Sequence, residues 1–198
     1  MRTCGNRIFF LALAIVLCAC SSQESALVKP VGDGQHPATV VSKHQSQLPS
    51  LRRKVGFLLE KKNYHQAIEL MNGKNHEGLE REYILAVNGL LGVGSDAFSS
   101  GDYAAAARDF KWALNAYPVE PSLRDRVSYD PKRIRASLDA CVNRMMEQGL
   151  EEYRRGRLES AIRKWKVLLA ISPGHQEAKK ALDTATVQLQ ELQSMKNM

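Results

Sequence analysis

The sequence predicts an all-α fold, a short solenoid of helical hairpins closed by a C-terminal capping helix. Three observations predict it. Small, aromatic and proline residues recur at a fixed distance, apolar residues follow the helical period, and turn residues separate the periodic segments. The 198 residues are 44% hydrophobic and 25% charged, which suits one packed core and excludes two large domains, wholesale disorder and a polytopic membrane protein.

The N-terminus has the pattern of an export signal. Residues 1–7 are basic, and residues 8–17 read IFFLALAIVL without a charge. About ten apolar residues cover only half of the roughly 30 Å hydrocarbon core, so this segment predicts a signal rather than a spanning helix. Because an exported chain does not meet the genome, the net charge of +7 does not indicate nucleic acid as a partner.

Leu17, Cys18, Ala19 and Cys20 follow the apolar segment directly. This tetrapeptide resembles the lipobox of bacterial lipoproteins, where a small residue precedes the cysteine that becomes the mature N-terminus. The resemblance implies a signal peptide over residues 1–19, lipid such as palmitate attached through Cys20, and no other cofactor. Ser21 stands where Asp often marks inner-membrane retention, which favours the periplasmic face of the outer membrane. An ordinary cleaved signal with an incidental cysteine is the alternative.

Residues 20–47 are predicted to form a lipidated, flexible tether. The segment is rich in Ser, Gln, Gly and Pro and contains no aromatic residue. Such a composition does not bury enough apolar surface to fold. A coil of this length has a root-mean-square reach of about 30 Å, so the folded domain would sample a shell around its anchor.

The rest of the chain contains an internal repeat. Small, aromatic and proline residues recur 55 positions apart: Gly94, Gly101, Ala106, Phe110 and Pro118 match Gly149, Gly156, Ala161, Trp165 and Pro173. The pattern resembles the tetratricopeptide repeat, a helix-turn-helix unit of about 34 residues. In this interpretation the first glycine allows close helix packing, the aromatic residue fills the space between neighbouring hairpins, and the proline ends the second helix.

The resemblance covers residues 48–193. Repeats are placed at about 48–76, 87–120 and 142–175, with an insertion at 119–140 and a capping helix at 176–193. The first repeat is degenerate and aligns at an offset of 39. Asp102 is expected to cap one helix, and Asp130 followed by Pro131 to begin another. Asn88-Gly89 could instead be a hairpin turn, although no alternating strands flank it.

Tetratricopeptide arrays bind partners in a concave groove, and the resemblance carries the groove positions onto the two clear copies. These positions are Asn88, Leu91, Ser95, Phe98, Asn143, Met146, Leu150 and Tyr153, with Arg154 beside the last. The two asparagines could hydrogen-bond an extended peptide backbone. Phe98 and Tyr153 are alternatively core residues. Two basic stretches, 124–135 and 154–166, are either a solvated face or a patch for an acidic partner or anionic envelope polymer.

The sequence contains no pattern typical of catalysis. Its five histidines lack metal-ligand spacing, and no phosphate-binding loop or nucleophile motif is present. Cys141 lies alone on a predicted helix, as a buried small residue or, alternatively, in an intermolecular disulfide. We therefore expect neither an enzyme nor a bound metal or small-molecule substrate.

These features predict a membrane-anchored periplasmic scaffold that binds an envelope protein. Similar lipoproteins serve in the assembly of outer-membrane barrels, secretins or pili, and the resemblance implies a role of that kind. The alternative is a peptidoglycan-associated factor or a regulator of a cell-wall enzyme, with an intrinsic hydrolase a distant third.

Overall fold

The computed structural model describes residues 42–71 and 77–197, with side chains from Leu48 onward. Within those ranges all regular structure is helical, which confirms the predicted all-α class. In chain order the helices are α1 (Ser42–Glu60), α2 (Tyr64–Leu70), α3 (Glu80–Ser99), α4 (Tyr103–Asn115), α5 (Pro121–Arg124), α6 (Pro131–Arg154), α7 (Leu158–Ile171) and α8 (Gln176–Lys196). Consecutive long helices pack on one another. The predicted signal peptide, Cys20 and residues 20–41 of the tether lie outside the described residues.

Helix α1 begins at Ser42, inside the segment predicted to be a flexible tether. The next residues of the same helix make tertiary contacts that hold it against the start of α3. The side chain of Leu48 covers Gly78, where an added Cβ would stand 2.8 Å from Leu48 Cδ2. Arg52 donates to the carbonyl of Gly78 and forms an ion pair with Glu82 at 3.1 Å. Because packing rather than intrinsic propensity stabilises most protein helices, composition alone placed this boundary too late.

The turns from α1 to α2, from α3 to α4 and from α6 to α7 share one geometry. A residue with left-handed backbone stands in each turn: Lys62 (φ 55°), Gly101 (φ 85°) and Gly156 (φ 72°). In every case its N–H bonds to the carbonyl three residues back, and the next N–H bonds to the carbonyl five residues back. This pair of bonds is the Schellman arrangement, which satisfies the carbonyls that a helix end leaves free.

Each of two glycines lies under an aromatic ring of its own hairpin. A Cβ added at Gly94 would stand 3.2 Å from Phe110 Cε1, and one added at Gly149 would stand 2.6 Å from Trp165 Cδ1. The prediction that the glycines allow close packing is confirmed. The sequence also predicts that the aromatic rings fill the space between neighbouring hairpins. Each ring lies on the glycine of its own hairpin, and Phe110 also lines a cavity with Ala136 and Ala140 of α6.

Two of the predicted helix starts are confirmed in atomic detail. Asp102 accepts a hydrogen bond from the Ala105 N–H at 3.0 Å, and Asp130 accepts one from the Arg133 N–H at 2.7 Å. Both carboxylates satisfy N–H groups that have no partner within the helix. Gly89 lies in the middle of α3, which excludes the hairpin-turn alternative.

The insertion between α4 and α6 contains a short helix that the sequence interpretation missed. Helix α5 has Pro121 in its first turn, preceded by Glu120. This is the same kind of start signal as Asp130-Pro131, because proline suits the first turn of a helix. The insertion is therefore a folded connection that carries Leu123 and Val127 into the core.

The C-terminal helix α8, which the sequence predicts to be a capping helix, packs against α7. Ala178 and Ala185 are buried in this contact, and His175 Nδ1 accepts from the Ala178 N–H at 3.1 Å. The helix continues to Lys196, slightly past the predicted end. Among the helices that the structure describes, none combines the length and apolar content needed to cross a bilayer.

Candidate binding surface

A cleft of about 380 Å³ lies between α3 and α6, and it includes two of the predicted groove residues, Ser95 and Phe98. The complete lining combines aromatic, hydroxyl, small and cationic side chains: Ser95, Phe98, Ser99, Phe110, Arg133, Ala136, Ser137 and Ala140. The ring of Phe98 contacts that of Tyr103 edge-on, with 5.2 Å between centroids. Such a lining can hold an apolar side chain of a partner beside a group that hydrogen-bonds or carries negative charge.

Tyr129, a residue of the insertion, positions Arg133, the cationic residue of this cleft. The guanidinium carbon of Arg133 lies 3.8 Å from the centroid of the Tyr129 ring, a cation–π contact. The Tyr129 hydroxyl stands 3.3 Å from Ser95 Oγ, and the Ser95 hydroxyl donates to the Leu91 carbonyl at 2.8 Å. These contacts hold Arg133 at the cleft. Sequence reasoning missed both Tyr129 and Arg133, because it assigned residues 119–140 to an insertion and sought groove positions only in the repeats.

Asn88 holds a peptide backbone, but the backbone belongs to this chain. Its Nδ2 donates to the Arg126 carbonyl at 3.0 Å, and its Oδ1 accepts from the Ser128 N–H at 2.8 Å. Val127, between these two residues, is buried. The sequence predicts that Asn88 hydrogen-bonds the backbone of a partner. In the structure its amide makes such bonds to the insertion of this chain and anchors that insertion against α3.

The other predicted groove residues are not among those that line the cavity with Ser95 and Phe98. Leu91 is 2% exposed and belongs to the core, so its side chain does not line a groove. Asn143 is exposed and lines a separate cavity of about 420 Å³ that also includes Lys111 and His175. Two half-buried residues, Met146 and Leu150, pack against the core.

The last two predicted positions lie at the end of α6. The hydroxyl of Tyr153 and Oε1 of Gln188 on α8 form a hydrogen bond of 2.8 Å, and the Tyr153 ring lies 6.0 Å from that of Trp165. Tyr153 at the end of α6 thus contacts both α7 and α8. Arg154 is exposed.

Some basic residues of the stretches 124–135 and 154–166 bind neighbouring carbonyls and carboxylates of this chain. Arg124 donates to the carbonyls of Pro118 and Val119, and Arg155 pairs with Glu151. Arg157 binds Glu152 through two hydrogen bonds of 2.6 and 2.7 Å. Those hydrogen bonds from Arg157 lower the pKa of Glu152 to about 2. The basic residues therefore contribute to turns and helix ends as well as to the surface charge.

Groups with potential chemistry are few in the described part of the chain. His65 Nε2 stands 3.2 Å from Asp109 Oδ1, and burial raises the pKa of Asp109 while His65 and Arg108 act in the opposite direction. Cys141 is a free, buried thiol whose burial raises its pKa to about 11, so little of it is thiolate at neutral pH. Over residues 42–71 and 77–197, no group of three or more His, Cys, Asp or Glu side chains is placed to bind a metal.

Comparison of this chain with protein-family models, with curated proteins and with solved structures finds no match. The cleft between α3 and α6 is the place where predicted groove residues, an anchored cation and an accessible cavity coincide. It is therefore the candidate binding surface of the described domain.

Proposed function

We propose that this protein is a lipid-anchored periplasmic scaffold of tetratricopeptide type, which binds a protein partner through the cleft between α3 and α6. The partner belongs to an envelope machine under assembly, such as an outer-membrane barrel, a secretin or a pilus. The observation that carries the proposal is the cleft itself, where Phe98 and the anchored Arg133 face a common cavity of about 380 Å³.

The repeat assignment is supported by features that recur at the sequence offsets. Lys62, Gly101 and Gly156 occupy equivalent turns, and they are separated by the same 39 and 55 residues that align the three repeats. A glycine under an aromatic ring recurs in the second and third hairpins. Three hairpins stacked in chain order would leave the first helix of each along one side, which is the arrangement that forms a concave groove.

The anchor is proposed from the lipobox resemblance of residues 17–20. Acylation of Cys20 with more than one chain would hold the protein stably at the membrane, since each buried methylene contributes about 0.8 kcal/mol. Replacing Cys20→Ser should move the protein from the membrane fraction to the soluble periplasmic fraction. Membrane association that persists at full level in this variant, with no lipid found on the wild-type cysteine by mass spectrometry, would exclude the anchor.

The chemistry of the cleft suggests the kind of segment that it binds. Phe98 and Phe110 offer apolar surface, and Arg133 offers a cation whose position is set by Tyr129. We infer a segment with an apolar side chain next to a carboxylate. The hydroxyls of Ser99 and Ser137 can hydrogen-bond its backbone.

A steric substitution tests the cleft without disturbing the core. Ala136 lies exposed on the wall of the cleft, so Ala136→Arg would fill the space while keeping a good helix former. Ala170 is likewise exposed but lies on α7, outside the cleft, and Ala170→Arg is the matched control. We expect Ala136→Arg to abolish capture of the envelope partner from solubilised membranes and Ala170→Arg to preserve it. Equal capture by both variants would disprove the role of the cleft.

A further inference from the structure

A second exposed surface lies on α1 and α2. We name it the α1 patch; it consists of Arg53, Lys54, Phe57, Leu58 and Leu70. Phe57 is 59% exposed and Leu70 is 37% exposed, so an aromatic and an aliphatic side chain stand in solvent next to one another. The α1 patch shares no residue with the cleft between α3 and α6.

Cations border the apolar centre of the α1 patch. Arg53 and Lys54 belong to it, and Lys61 Nζ lies 5.8 Å from the centroid of the Phe57 ring. Among the described residues no carboxylate forms an ion pair with any of these three cations. The sequence contains no acidic residue between Asp33 and Glu60, so the helix carries an excess of positive charge up to its last turn.

We propose that the α1 patch binds the surface of an anionic phospholipid bilayer. The Phe57 ring would enter the boundary between headgroups and acyl chains, while Arg53, Lys54 and Lys61 would contact lipid phosphates. A second copy of the chain fits the patch poorly, because two such patches would place their cations against each other. An exposed aromatic residue bordered by cations is, in contrast, complementary to a negatively charged surface with an apolar interior.

The position of α1 in the chain favours the same occupant. The helix starts at Ser42, 22 positions after Cys20 in the sequence. In this step the inference rests on the proposed lipid anchor. An anchored Cys20 would keep the α1 patch close to the bilayer and raise its effective concentration there.

Vesicle binding by the full chain carrying Cys20→Ser tests the patch without the lipid anchor. Binding is measured on neutral phosphatidylcholine vesicles and on vesicles that also contain phosphatidylglycerol. The apolar residues 8–17 can bind both kinds of vesicle, so the informative quantity is the ratio of anionic to neutral affinity. The test variant is Arg53→Glu, Lys54→Glu, Lys61→Glu, and the matched control is Lys132→Glu, Lys166→Glu, Lys179→Glu, which changes the net charge equally at exposed sites.

We expect the test variant to lower the affinity ratio by about 100-fold, since each of three cations near a membrane contributes about 1 kcal/mol and 1.4 kcal/mol is a factor of ten. The control variant should change it far less, and Phe57→Ser should weaken binding to both kinds of vesicle by about tenfold. Equal losses in the test and control variants would overturn the proposal. So would binding of the Cys20→Ser chain to an acidic peptide with no preference for anionic over neutral vesicles. Because Cys20 is replaced throughout, these outcomes are independent of whether the lipid anchor exists.

Discussion

The contact between Gly149 and Trp165 makes the sharpest prediction about stability. Gly149 is buried in α6, and a methyl group there would stand 2.6 Å from Trp165 Cδ1. Trp165 is itself fully buried, and its indole N–H has no hydrogen-bond partner among the described residues. An ordinary van der Waals contact needs about 3.5–4.0 Å, so the Gly149→Ala substitution requires the indole to move by about 1 Å.

Two opposing contributions set the size of the effect. Alanine is favoured over glycine inside a helix by about 0.8–1.0 kcal/mol. Overpacking of a dense core costs about 1–3 kcal/mol, and a shift of about 1 Å for a fully buried tryptophan places this site at the upper end. We therefore expect Gly149→Ala to lower the free energy of unfolding by about 2 kcal/mol, which corresponds to a Tm lower by about 4–8 °C.

Urea and thermal unfolding followed by circular dichroism measure this difference, and the chain supplies graded controls. A Cβ at Gly92 would meet nothing within 4 Å, so Gly92→Ala should raise the stability by up to about 1 kcal/mol. At Gly94 the nearest atom lies at 3.2 Å, so Gly94→Ala should be nearly neutral. Adding Trp165→Phe to Gly149→Ala should recover part of the loss. A Gly149→Ala protein as stable as the Gly92→Ala protein would refute the reasoning.

Three further predictions concern the turns and the buried hydroxyl. Lys62→Gly should raise the free energy of unfolding by about 0.5–1 kcal/mol. Lys62 has a φ of 55°, a left-handed conformation that is strained for a residue with a Cβ and unstrained for glycine. An unchanged urea midpoint would argue against this prediction. Tyr83→Phe should lower it by about 1–3 kcal/mol, because the buried Tyr83 hydroxyl donates to the Ala116 carbonyl at 2.7 Å; a neutral result in urea titration would show that water replaces the hydroxyl. Hydrogen bonds from Arg157 lower the pKa of Glu152 from 4.5 to about 2. The Glu152 carboxylate therefore stabilises the fold above pH 4.5, and this stabilisation is lost as the pH falls towards 2. Glu152→Gln should flatten the pH dependence of Tm between these values, and an unchanged pH profile would contradict the reasoning.

The sequence predicted best where a local chemical rule decides the structure. Asp130 followed by Pro131 located the start of α6, because a carboxylate caps a helix and proline suits its first turn. The repeat pattern placed Gly149 and Trp165 in the same copy, 142–175, and in the structure they pack on one another. Spacing alone, however, did not show that the Trp165 ring lies directly on the glycine.

Contacts between distant parts of the chain were not predictable in this way. The bonds from Asn88 to the backbone of residues 126–128 span about 40 positions, and no local signal marks them. Leu91 and Ser95 lie on the same face of α3, one turn apart, so the burial of the first and the place of the second in the cleft depend on what packs against each turn, including Tyr129 of the insertion. The cleft could therefore be predicted as a region of α3, whereas Arg133 and Tyr129 needed the folded structure.

Site-specific photo-crosslinking in the living cell envelope tests the central claim most directly. A photoreactive amino acid is placed at Ser137, on the wall of the cleft, or at the exposed Lys166 on α7 as the control. A scaffold that binds its partner through the cleft predicts one specific protein adduct from position 137, none from position 166, and loss of that adduct when Ala136→Arg fills the cleft. Absence of an adduct at position 137, or the same adduct from both positions, would contradict the proposed binding surface.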